Sequence, residues 1–195
     1  MPVRAIFLAG FMACGKTTTG KHLARRLKWD FIDLDAEIER REGQTIAEIF
    51  RDRGEHGSNG YRAAETQALR ALIEYLKQDT VIALGGGTFY SAQNRELVQP
   101  WPSVFLDAPV EELWRRSQQE AAKRPLRKDD PERFKSLFEE RLPHYRKATV
   151  TIVTSGRDAS SLCDEIQSIL QVQASAHSSA PAQVSPAHSE IGEAE

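Results

Sequence analysis

One octapeptide restricts what this chain can fold into more than any other feature: Gly10-Phe11-Met12-Ala13-Cys14-Gly15-Lys16-Thr17, set directly after the apolar run 3–9. A Gly-x-x-x-x-Gly-Lys-Thr string in that setting predicts strand, loop and then helix, here an amphipathic helix carrying Leu23 and Leu27. The glycines let the backbone curl until its N–H groups point at phosphate oxygens, at the positive end of the following helix. Lys16 is then placed for the β- and γ-phosphates of a nucleotide, and the Thr17 hydroxyl for Mg²⁺. All spacings are met and the string follows the first strand, which favours nucleotide binding over a glycine-rich turn that binds nothing. Cys14 inside the loop has two readings: a small side chain that fits, or a thiol acidified by the helix N-terminus.

The rest of the chain alternates. Apolar, β-branched runs at 80–84, 103–107 and 149–153, with a weaker one at Asp30-Phe31-Ile32-Asp33, are separated by helical patterns. That is the order of a parallel α/β sheet with crossover helices. Tyr61, Glu65, Ala68, Leu69, Leu72, Ile73 and Leu76 recur at helical spacing, as do Leu162, Ile166, Ile169 and Leu170. Another helix begins after Asp130, with Pro131 suited to the first position and Glu132 to the positive end of the dipole. Residues 118–130 are polar and strongly charged, the composition of an exposed flap, and from about Val172 the chain turns to Ala, Ser, Pro, Gln and His. Such a tail buries too little apolar surface to offset its ordering entropy and is predicted to be disordered.

Size and charge narrow the function classes. At 195 residues the chain suits one domain, and its net charge of −2 argues against bulk nucleic-acid binding. No apolar run reaches bilayer-spanning length, and Met1-Pro2-Val3-Arg4 leads into a strand without a signal-peptide core. Two cysteines, Cys14 and Cys163, make neither a disulfide framework nor a four-ligand zinc site, so a cytoplasmic protein is expected.

Three further clusters carry chemistry. Asp33-Leu34-Asp35 closes the second strand; in an extended segment both carboxylates face one side, toward the space beyond the strand ends where ligands sit. One carboxylate near Mg²⁺ and one near an acceptor hydroxyl suit phosphoryl transfer, while Asp35 as a mere cap for a helix from Ala36 is the alternative. Gly85-Gly86-Gly87 removes side chains at the tip of a strand, exposing backbone N–H groups to a ligand, or else makes a flexible turn. Arg141 falls on the apolar stripe of Phe134, Leu137, Phe138, Leu142 and Tyr145, so its charge needs a partner. That partner is an anionic ligand, a protein carboxylate or solvent. Arg62 and Arg124 are further candidates.

Taken together these strings resemble the shikimate kinase family over about residues 4–170. The resemblance rests on Gly10–Thr18, Phe31-Ile-Asp-Leu-Asp, Gly43-Gln-Thr-Ile, Gly54-Glu55, Tyr61-Arg62-Ala-Ala-Glu65, Ala83-Leu-Gly-Gly-Gly87, Phe105-Leu-Asp-Ala-Pro, Arg124-Pro-Leu and Arg141-Leu-Pro-His-Tyr-Arg146. It implies an α/β, three-layer P-loop kinase fold, a five-stranded parallel sheet flanked by helices. The kinase domain is then 1–171, with a substrate segment at about 34–62, a mobile lid at about 117–130 and a disordered tail at 172–195. The implied activity is ATP-dependent phosphorylation of shikimate to shikimate 3-phosphate, in aromatic amino acid biosynthesis.

The resemblance also assigns roles. Lys16, Asp35 and Arg124 are catalytic, Asp35 by orienting or deprotonating the attacking hydroxyl and Arg124 by descending with the lid. Ala13, Cys14, Gly15, Lys16, Thr17, Thr18 and Arg116 bind nucleotide, with Arg116 packing on adenine. Asp35, Arg62, Gly85, Gly86, Gly87 and Arg141 bind shikimate, the two arginines through its carboxylate. Thr17 and Asp33 support Mg²⁺, the latter through water. ATP and shikimate are the partners of a chain taken as a monomer, with no nucleic acid or membrane. Two departures stand out: His56-Gly57-Ser58-Asn59-Gly60 lengthens the link before Tyr61-Arg62, and Arg127-Lys128 makes the lid more basic. The insertion either bulges outward, leaving Arg62 in place, or alters substrate binding. Two rivals remain, a related kinase such as gluconate kinase and a nucleotide-binding regulator; no Asn-Lys-x-Asp string supports a guanine switch.

Overall fold

A computed structural model of the chain describes residues 4–119 and 130–173. Arg124, Arg127, Lys128, most of the expected lid and residues 174–195 of the expected tail lie outside the described residues.

Five parallel strands form one sheet in the order β2-β3-β1-β4-β5, where β1 is Ala5–Ala9, β2 Asp30–Asp33, β3 Thr80–Ala83, β4 Ser103–Asp107 and β5 Val150–Val153. The three inner strands are buried almost throughout, as a parallel sheet covered on both faces requires. This is why their sequences read as mostly apolar runs. Edge strands β2 and β5 are only partly buried, which accounts for the weaker signal at 30–33.

Helices α1 (Lys16–Leu27), α2 (Leu34–Glu42), α3 (Ile46–Arg53), α4 (Tyr61–Glu74), α5 (Ala92–Val98), α6 (Val110–Gln119) and α7 (Pro131–Tyr145) fill the crossovers, and α8 (Ala159–Leu170) follows β5, giving the three-layer arrangement of the P-loop kinase fold. Their starts are chemically marked. Thr45 and Glu48 make a capping box on α3. Asp130 accepts from the N–H groups of Glu132 and Arg133 at the start of α7, with Pro131 in the first turn, as the sequence predicts.

Two sequence expectations need correcting. Helix α4 stops at Glu74 rather than 76, although Leu76 still packs on the core. More importantly, Asp33-Leu34-Asp35 is not extended. Asp33 ends β2 and caps α2, accepting from the Asp35 N–H, so Leu34 already starts the helix and Asp35 sits in its first turn. The helix is capped by Asp33, not by Asp35.

Register sets the site. Asp33 lies opposite Ala83, and Ala83 opposite Leu8, so the ends of β2, β3 and β1 are level. The acidic pair, the glycine triplet and the glycine-rich loop therefore leave the sheet at the same edge, its carboxyl end, where ligands of open α/β sheets bind.

Candidate active site

The loop after β1 is held from beneath. Phe11 is fully buried and meets Phe134 edge-on at 4.9 Å and Phe138 at 5.5 Å, tying the loop to α7. Ala13 (φ 62) and Gly15 (φ 96) take left-handed conformations that turn the chain into α1. The Lys16 ammonium donates to the carbonyl oxygens of Gly10 at 2.9 Å and Phe11 at 3.0 Å. Residues 13–19 line a cavity of about 340 Å³ together with Asp33, Asp35, Gly86, Arg116, Thr154 and Arg157. Cys14 is buried with its sulfur 3.8 Å from the Lys16 nitrogen.

A divalent cation fits one corner of this cavity. Thr17 Oγ1 donates to Asp33 Oδ2 at 2.7 Å, placing a hydroxyl and a carboxylate oxygen side by side beside the phosphate loop. Hard cations such as Mg²⁺ take oxygen ligands, few of them from protein, with nucleotide phosphates completing the shell. No group of three or more His, Cys, Asp or Glu side chains that could hold a metal ion occurs among the described residues.

Asp35 faces the same space under different constraints. The residue keeps some exposure, but its carboxyl is deep enough that burial, and then the Asp33 and Glu65 charges, push its pKa up to about 6. Lys16 and a hydrogen bond from Tyr61 at 3.2 Å partly oppose this. The first glycine of the triplet makes room for it: a Cβ at Gly85 would fall 2.5 Å from Asp35 Oδ1 and 3.0 Å from Glu65 Oε1.

The arginines converge on the rest of the triplet. A Cβ at Gly87 would fall 2.4 Å from Arg62 Nη1, so that residue must be glycine for the guanidinium to lie there. Arg141 Nη1 donates to the Gly86 carbonyl at 3.3 Å, and the Tyr145 hydroxyl donates to the same oxygen. Neither guanidinium lines the main cavity itself; both lie against the two glycines behind its Gly86 wall.

Arg62 is itself held. Nε and Nη2 donate to Glu55 Oε1 at 3.1 and 2.7 Å, and Nη1 to Glu65 Oε2 at 2.9 Å. Burial disfavours its charge, but Glu65 and Glu55 outweigh burial and raise its pKa. A guanidinium has five N–H groups; three are engaged here, leaving one on each terminal nitrogen. The insertion does not disturb this. Tyr61 N–H bonds to the Gly54 carbonyl and Arg62 N–H to that of Glu55, both at 3.0 Å, so the two ends of 56–60 are stitched together. Residues 56–59 bulge outward into solvent.

At the opposite end of the cavity Arg116 donates to Glu112 Oε1 at 2.6 Å, and Ser155 donates to the other oxygen of Glu112 at 2.7 Å. This bridge fixes Arg116 against the loop after β5. Arg157 of that loop is pinned to Glu165 and to the Ser161 carbonyl, and it and Thr154 line the same cavity. Sequence reading missed Thr154 and Arg157, and also Glu55, Tyr61, Glu65 and Thr88 as parts of a polar network. Glu65, fully buried in an apolar helical stripe, carried a readable signal: a carboxylate there must have partners. Thr88 donates to it at 2.6 Å.

The shikimate kinase family model matches residues 12–171. A shikimate kinase of Thermus thermophilus is 40% identical over 168 residues, spanning 85% of this chain and 89% of that protein. One from Geobacter metallireducens is 39% identical over 172 residues, spanning 87% and 93%. Among solved structures, the shikimate kinase from Acinetobacter baumannii in complex with shikimate superposes with a TM-score of 0.78 at 39% identity, covering 87% of this chain and 94% of that one.

Proposed function

The chain belongs to the shikimate kinase family, and from that premise we propose how its own residues carry out ATP-dependent phosphorylation of shikimate to shikimate 3-phosphate. The observation that carries the assignment is a single cavity shared by Lys16, Thr17, Asp33 and Asp35, closed at Gly86, with Arg62 and Arg141 brought to Gly87 and Gly86 from separate helices. A nucleotide binder without a small acidic substrate has no need for the second half of that arrangement.

The triphosphate of ATP lies along residues 13–18. Lys16 leaves the loop carbonyls for the β- and γ-phosphates, where its charge stabilises the transferring group. Mg²⁺ is the metal we assign to the Thr17–Asp33 corner, where it neutralises phosphate charge when bound. The adenine end faces Arg116, with Thr154 and Arg157 across the cavity.

Shikimate is held by its carboxylate on the two remaining N–H groups of Arg62 and on Arg141, a bidentate geometry suited to planar guanidinium groups. That anchoring presents a ring hydroxyl to Asp35. A carboxylate with a pKa of about 6 is ionised at neutral pH yet basic enough to accept the hydroxyl proton as the oxygen attacks phosphorus. Gly85–Gly87 supply the close backbone wall. Arg124 is assigned to the transferring phosphoryl group by resemblance, within a lid at 117–130 whose closure would exclude water.

The kinase domain is assigned to 1–171. A monomer is the assembly we propose. A cytoplasmic location suits two free, buried thiols, and no helix among the described residues is long and apolar enough to cross a membrane.

The test is ATP turnover with shikimate and gluconate side by side. ADP formation that depends on shikimate and not on gluconate is expected. Turnover on gluconate alone would replace the substrate, and turnover on neither would remove the small-molecule reading.

A further inference from the structure

Tyr61, the first residue of α4, is 4% exposed, and its ring stacks on Phe50 with centroids 4.5 Å apart and planes at 27°. Burial and stacking explain an aromatic ring at this position. They do not explain a hydroxyl, which costs free energy to bury unless it has work as a donor or acceptor.

That hydroxyl sits between two carboxylates, 3.2 Å from Asp35 Oδ1 and 3.5 Å from Glu65 Oε1. It carries one proton and must choose. Glu65 is already supplied: Thr88 donates to Oε1 at 2.6 Å and Arg62 to Oε2 at 2.9 Å. Asp35 is not. Among the described residues, Tyr61 is the group that donates to its carboxylate. The shorter distance also runs to Asp35. Burial, followed by the Asp35 and Glu65 charges, holds the phenol pKa far above its usual value, so the hydroxyl remains a donor throughout the working pH range.

The same oxygen also approaches Gly85, whose missing Cβ would fall 2.5 Å from Asp35 Oδ1. Oδ1 is therefore close to both a glycine backbone and a phenol. Oδ2 is left for the reacting hydroxyl. We propose that the Tyr61 hydroxyl is a positioning residue for the phosphoryl transfer: it fixes Asp35 Oδ1 so that Oδ2 presents to the acceptor hydroxyl of shikimate, while Glu65 and Thr88 keep it from turning away. The inference rests on the role given to Asp35 above and adds the group that orients it.

Tyr61→Phe tests it with little risk to folding, because the ring and its stack on Phe50 remain. At saturating ATP and shikimate, kcat is expected to fall about five- to twentyfold, as small misplacements of a reacting group do. KM for shikimate should stay within about twofold, because the hydroxyl is not a carboxylate anchor. A kcat within about twofold of the parent, or a rise in KM alone, would overturn the proposal. A second comparison separates orientation of Asp35 from general packing. Added to Asp35→Asn, Tyr61→Phe should lower the residual rate no further, since no base remains to position; an additional about tenfold loss would overturn it. Failure of the parent reading looks different: Asp35→Asn would then turn over at nearly the normal rate. Failure of this inference alone leaves Asp35→Asn slow and Tyr61→Phe fast.

Discussion

Replacing Asp35 with Asn should make the protein more stable and less active at the same time. The carboxyl is shifted from 3.8 to about 6 by burial and by the neighbouring Asp33 and Glu65 charges. At neutral pH the ionised form is therefore retained against a penalty of about two pKa units, on the order of 2–3 kcal/mol. Asn keeps an acceptor for the Tyr61 hydroxyl and removes that charge. For a domain of this size the gain corresponds to roughly 5–10 °C in Tm at pH 7.5. The sign with pH follows from the direction of the shift. A carboxyl whose folded pKa is raised stabilises the fold when protonated, and loses that contribution as pH rises through about 6. The advantage of Asp35→Asn should therefore be full above pH 6 and mostly gone near pH 4. Thermal unfolding across that range, beside turnover with saturating ATP and shikimate, measures both arms. Turnover should fall by about 10²-fold or more, with ATP binding intact. A variant no more stable than the parent at pH 7.5, or a gain independent of pH, would refute the burial argument.

Lys16→Met removes the charge that meets the phosphates, so both nucleotide affinity, read by calorimetric titration, and kcat should drop, the latter by at least about 10²-fold. Phe11→Ala opens a cavity between the loop and α7, and denaturant unfolding should report a loss of about 3–5 kcal/mol. Excising Gly57-Ser58-Asn59 should leave KM for shikimate within about twofold, because hydrogen bonds on either side of the bulge, not the bulge, seat Arg62. A large rise in KM would show that the insertion contributes to the substrate site.

Much of the fold was legible because parallel strands covered on both faces are mostly apolar, as β1 is throughout and β3 and β4 are apart from Thr80, Ser103 and Asp107 at their ends. The edge strand β2 showed a weaker pattern for the same reason. The glycine-rich loop announced itself through fixed spacing, and Arg141 through its place among phenylalanines. The acidic pair was read as extended, yet a short polar side chain at the end of a strand also caps a helix. The Asp33 carboxylate satisfies the Asp35 N–H, and the helix starts one residue later. Whether 56–60 would bulge or distort was undecidable from composition, since it depends on the paired backbone bonds at its base. Glu65 was counted as a member of a stripe rather than as a buried charge in need of partners. Thr154 and Arg157 owe their position to where β5 ends beside β4, which no local pattern encodes.

The most direct measurement is a structure of the protein with ADP and shikimate bound together. The shikimate carboxylate should lie on Arg62 and Arg141, with a ring hydroxyl within hydrogen-bond reach of Asp35 Oδ2 and the nucleotide phosphates on residues 13–18. Shikimate found elsewhere, or oriented with its carboxylate away from both guanidinium groups, would contradict the account.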